Sequence, residues 1–138
     1  MRRIIFLLIL CTCLVLAIGC TNITSSIQTK LGQEFSLSIG QTAAITGEDL
    51  KVKFVEVVED SRCPSGVECP WAGRVSCIIE LTQNRATSKT VLTQSGLTEG
   101  YAIETYELYQ LKFRVEPYPQ AGKAINKSDY RLLLTISK

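Results

Sequence analysis

Leu108-Tyr109-Gln110-Leu111-Lys112-Phe113-Arg114-Val115-Glu116 alternates apolar and polar side chains from Tyr109 to its end. Successive strand residues point to opposite faces, so this spacing predicts a strand with Tyr109, Leu111, Phe113 and Val115 turned inward. A helix would need apolar positions three and four apart, and no part of the chain from residue 33 onward sustains that spacing. The period of two recurs on either side. Tyr130, Leu132, Leu134 and Ile136 share one face of a stretch ending at Ser137, and Val75, Cys77, Ile79 and Leu81 share one face of Arg74 to Thr82. Phe35, Leu37 and Ile39 alternate with polar residues, Gly40 permits a bend, and Ala43 and Ile45 continue the phase. After a turn at Gly47-Glu48-Asp49, Leu50, Val52 and Phe54 lie on one face, whereas Val55 and Val57 carry the apolar phase on the other, so a bulge near Phe54 is expected. Lys89 to Gln94 and Ala102 to Tyr106 read as further strands, and Pro117-Tyr118-Pro119 ends its strand because proline cannot donate to a ladder. About seven short strands predict an all-β fold, a single antiparallel β-sandwich over residues 33–138. Phe35, Phe54 and Phe113 are its expected bulky core.

The start of the chain has a different character. Met1-Arg2-Arg3 is cationic, Ile4 to Ile18 is apolar apart from Thr12, and Gly19 supplies a small residue at a cut site. A spanning helix needs about 20 apolar residues, so residues 1–19 read as a cleaved signal peptide for general secretion. Leu16-Ala17-Ile18-Gly19-Cys20 resembles the bacterial lipobox, with Ala17 where Leu is usual. That resemblance implies that the Cys20 thiol receives a diacylglycerol and becomes the new N-terminus. Lipidated residues 20–32, rich in Ser and Thr, then read as a tether. The expected location is the bacterial cell envelope, with the body held to the membrane by lipid and facing the periplasm or the exterior.

Of the 138 residues, about 119 remain after the leader, which is one ordinary domain. Lys and Arg total 15 against 13 Asp and Glu, and Arg2 and Arg3 account for the excess. The body is therefore balanced in charge and carries no basic footprint for nucleic acid. Histidine is absent, which removes Ser-His and Cys-His nucleophile pairs, His metal ligands and HExxH zinc chemistry. Neither a cofactor nor a metal is expected.

Asp60-Ser61-Arg62-Cys63-Pro64-Ser65-Gly66-Val67-Glu68-Cys69-Pro70-Trp71-Ala72-Gly73 interrupts the strand pattern with two cysteines, two prolines and the only tryptophan. Thiols oxidise outside the cytoplasm, so Cys63 and Cys69 are expected to close a ring through the turn residues between them. A ring this small stabilises by roughly 2 kcal/mol on the chain-entropy account. Cys77 shares a face with Val75 and Ile79 and reads as a buried small hydrophobe. A zinc site on the three cysteines would need a fourth ligand, and the spacing of Cys63 and Cys69 does not fit a Cys-x-x-Cys redox pair. Asp60 and Arg62, two apart on a strand, are expected to form an exposed ion pair contributing only about 0 to 1 kcal/mol. Trp71 is expected to plug the end of the sandwich, the alternative being an exposed recognition residue.

Asp60-Ser61-Arg62-Cys63-Pro64 and Cys69-x-Trp71-Ala72-Gly73, with the later Pro117-x-Pro119 and Asp129-Tyr130-Arg131, resemble a group of small uncharacterised bacterial secreted proteins and lipoproteins. This chain departs from them at Pro70, where an aliphatic residue is usual, and in carrying Cys77. The resemblance implies export and the disulfide, and it brings no activity with it. The expected function is that of a non-catalytic envelope protein binding an unknown partner or ligand, with Asp60, Arg62 and Trp71 as candidate contact residues. Two alternatives stand beside it: a secreted protease inhibitor using the pinned loop, and an enzyme using carboxylates such as Asp60 and Glu68.

Overall fold

The alternation in the quoted stretch becomes strand β8, Tyr109–Glu116, with its four apolar side chains buried. It belongs to a computed structural model that describes residues 26–96 and 100–138. The leader and the lipidation candidate Cys20 lie outside the described residues. Before β8 come β1 (Ile27–Thr29), β2 (Glu34–Ser38), β3 (Thr42–Ile45), β4 (Leu50–Asp60), β5 (Arg74–Gln83), β6 (Ala86–Ser95) and β7 (Ala102–Tyr106), and after it β9 (Arg131–Ser137). They form two sheets, ordered β1-β3-β4-β5-β6 and β2-β9-β8-β7, and the described residues contain no α-helix. Every pairing is antiparallel except that of β1 with β3.

The expected all-β sandwich is thus present, with nine strands in the described residues. Its inner faces meet in one core, to which the first sheet brings Val52, Phe54, Cys77 and Ile79 and the second Leu37, Phe113, Leu132 and Leu134. Phe35, Phe54 and Phe113 are all buried there. One boundary differs. The stretch read as a tether carries β1, the Thr46 N–H donates to the carbonyl of Thr29, and Leu31 packs against the core. Three residues are too few to show a period, so this strand had no pattern by which to be read.

β4 bends twice. Its pairing with β5 shifts between Phe54 and Glu56, where a bulge is expected from the sequence, and again between Val57 and Glu59. The first shift moves the inward phase from Phe54 to Val57, which faces Cys77; the second moves it to Asp60, which faces Val75. A one-residue insertion turns every later side chain to the opposite face. The second bulge thereby aims a carboxylate at the interior.

Candidate functional site

Asp60 enters the end of the sandwich and meets Arg62. The Arg62 Nε donates to Asp60 Oδ1 at 2.8 Å and Nη2 to Oδ2 at 2.6 Å, a two-pronged pair. Nη1 also donates to the Val115 carbonyl at 2.8 Å, Nη2 to the Pro117 carbonyl at 2.9 Å, and the Tyr130 hydroxyl donates to Asp60 Oδ2 at 3.0 Å. Burial and the neighbouring Asp60 carboxylate push the Tyr130 hydroxyl pKa up to about 12. Arg62 is only 4% exposed and lies 5.2 Å from the centroid of the Tyr118 ring. The exposed ion pair expected from the sequence is therefore corrected: it is buried, because the second bulge in β4 turns Asp60 inward. Neither side chain of that pair is presented as a contact surface.

The pair is needed by the edge of β8. β7 begins opposite Phe113, so β8 has no β7 partner at Val115. Side chains stand in for the missing strand: Gln94 Oε1 accepts from the Val115 N–H at 3.0 Å, and Arg62 donates to its carbonyl. Gln94 is 1% exposed and also donates to the Gly100 carbonyl at 2.6 Å. Buried backbone groups left without partners would each cost about 1–3 kcal/mol.

Above this bracket the loop is held at several points. Cys63 and Cys69 form the expected disulfide. The Tyr118 hydroxyl donates to the Cys63 carbonyl at 2.9 Å, and the Ser65 N–H to the Pro119 carbonyl at 2.9 Å. Gly73 has φ of +65°, and a Cβ there would lie 2.0 Å from the Ser61 carbonyl oxygen; a Cβ on Gly96 would lie 2.2 Å from that of Ala72. Only glycine permits these approaches.

Trp71 is 58% exposed, its Nε1 donating to the Ser61 carbonyl at 3.3 Å, and Val67 is 48% exposed. The expectation that Trp71 plugs the sandwich is overturned. Arg62, Gln94 and Tyr130 already close that end, and the indole is tied to the backbone of its own loop.

Cys77 is fully buried and has no disulfide partner, and burial pushes its thiol pKa up to about 12. Of the two carboxylates considered for acid-base chemistry, Asp60 is held by Arg62 and Tyr130 while Glu68 is exposed on the loop. No group of three or more Cys, Asp or Glu side chains suited to a metal occurs among the described residues. No helix among them is long and apolar enough to cross a membrane.

The sequence segments singled out by resemblance converge here. Arg62 reaches Pro117, Tyr118 reaches Cys63, and Tyr130 reaches Asp60. Sequence reasoning missed Gln94 and Tyr118. Gln94 follows Leu92 in phase along β6, and a polar residue at an inward position was the available clue. Compared with protein-family models, curated proteins and solved structures, the chain matches none of them.

Proposed function

We propose that this protein is a non-catalytic, lipid-anchored component of the bacterial cell envelope that binds a partner through the loop between β4 and β5. The observation that carries the reading is Trp71, mostly exposed on a segment braced by a disulfide, two close glycine contacts and the Arg62 bracket. A large aromatic surface held in place loses little conformational freedom on binding, which is why tryptophan dominates many interfaces. Exposed Val67 in the same loop enlarges the apolar contact. Asp60 and Arg62 serve beneath the surface as supports. The apolar leader and Gly19-Cys20 support the lipid anchor.

Recovery of envelope proteins by wild type and by Trp71→Ala tests the loop. The reading expects partners that the variant fails to recover; equal recovery discards the loop as the contact. Labelling with an alkyne fatty-acid analogue tests the anchor separately, with label expected on wild type and none on Cys20→Ser.

A further inference from the structure

Beside the bracket, where β8 ends and β9 begins, a cleft of about 500 Å³ opens on the second sheet. That volume is in the range of small-molecule sites, roughly 300–1,000 Å³. Three arginines line it: Arg62, whose charge is already paired with Asp60, and Arg114 and Arg131. Arg131 is fixed by Nη1, which donates to the carbonyls of Ser128 at 2.7 Å and Tyr130 at 2.8 Å. No carboxylate lies within ion-pair distance of Arg131 among the described residues, so its charge and remaining donors are available. Arg114 donates through Nη2 to Glu116 at 2.5 Å and stacks on Tyr101, while its buried Nε has no hydrogen-bond partner. A pose turned toward a ligand in the cleft would gain a bond that Nε now lacks.

Strand register sets the spacing. Glu116 faces Arg131 directly and Arg114 faces Leu133, making the two arginines diagonal neighbours, about 7–8 Å apart along the sheet. Long side chains at that separation can converge on one carboxylate. The rest of the lining opposes a highly charged ligand. Asp60 neutralises Arg62, Glu116 and Asp129 balance Arg114 and Arg131, and Ser65 and Gln120 offer neutral polar groups. Asp129 is itself engaged by the Asn126 side chain at 3.0 Å, leaving the second oxygen of Glu116 and the neutral groups to meet hydroxyls.

We propose that this cleft binds a small hydroxylated carboxylic acid of the sugar-acid type, its carboxylate on Arg131 and Arg114 and its hydroxyls on Glu116, Ser65 and Gln120. The site is distinct from the exposed Trp71 surface.

Titration calorimetry with the full body of the protein tests it, using glucuronate as probe and glucose and inorganic phosphate as comparisons. Glucuronate is expected to bind saturably, about tenfold or more tightly than either comparison, since charged hydrogen bonds are roughly twice as strong as neutral ones. Arg131→Gln is expected to weaken it by about tenfold or more, and Arg131→Lys, which keeps the charge but loses the fork, to fall between. Trp71→Ala should leave the affinity unchanged. No saturable binding, equal affinity for glucose or phosphate, unaltered affinity in Arg131→Gln, or a matching loss in Trp71→Ala would each overturn the proposal.

Discussion

Arg62 donates to the carbonyl of Val115, 53 residues away in sequence, at 2.8 Å. Through this bond a residue at the root of the first sheet's loop completes the edge of a strand in the second sheet. The loop cannot shift without breaking the bracket, and the bracket cannot form without the bulge that aims Asp60 inward.

Arg62→Ala leaves the Asp60 carboxylate buried beside Tyr130 and strips donors from Val115 and Pro117. Removing one partner of a buried pair costs about 3–5 kcal/mol, and a loss of that size is expected in urea unfolding. Arg62→Lys should recover only part of it, because an ammonium cannot reproduce the two-pronged contact. A change within about 0.5 kcal/mol would place the pair at a solvated surface instead.

Paired serines at positions 63 and 69 should lower stability by about 2 kcal/mol while the sandwich remains folded. The ring is one of several supports, alongside the contacts of Tyr118 and Ser65. Circular dichroism and urea midpoints read both parts of this expectation.

Gly73→Ala should destabilise by about 1–3 kcal/mol, since a methyl group meets the Ser61 backbone and the residue must hold a positive φ. Gly66, also at positive φ but with open space around it, serves as the comparison. Its alanine variant should cost less, because it bears the conformational penalty without the collision.

Acids with raised pKa make the fold sensitive to alkali, Cys77 and Tyr130 most strongly, with Tyr109 and Tyr101 shifted in the same direction. The Cys77 thiol rises from its ordinary 9.0, and the Tyr130 hydroxyl from 10.0, each to about 12. Above the ordinary values the unfolded chain gives up these protons more readily than the folded one, so unfolding becomes easier as pH rises. Their contribution should be intact below pH 9 and lost progressively as pH climbs from there to about 12. Tyr130→Phe should flatten the part of the slope that begins near pH 10. In the same samples at neutral pH, a thiol reagent should label Cys77 only as the protein unfolds.

Much of this architecture was legible as alternation. The inward sets of β5, β8 and β9, the three core phenylalanines, the first bulge and the sulfur ring all follow from period, turn residues and the expectation of export. Four things were not. β1 is too short to show a period. The second bulge lies at Val57-Val58-Glu59, where apolar neighbours on both faces conceal the change of phase. The burial of Asp60 and Arg62 depends on that bulge and on where β7 begins, which are facts of pairing that neither residue carries locally. Trp71 was misread for the same reason: the space it was expected to fill is taken by polar side chains from three distant segments.

Trp71 is the only tryptophan, so intrinsic fluorescence reports on the proposed contact residue alone. If a braced loop holds the indole out to solvent, acrylamide should quench it nearly as well as free tryptophan, while its anisotropy follows the tumbling of the whole body. Strong shielding from the quencher in the native protein, or anisotropy decaying as freely as in the unfolded chain, would contradict the account.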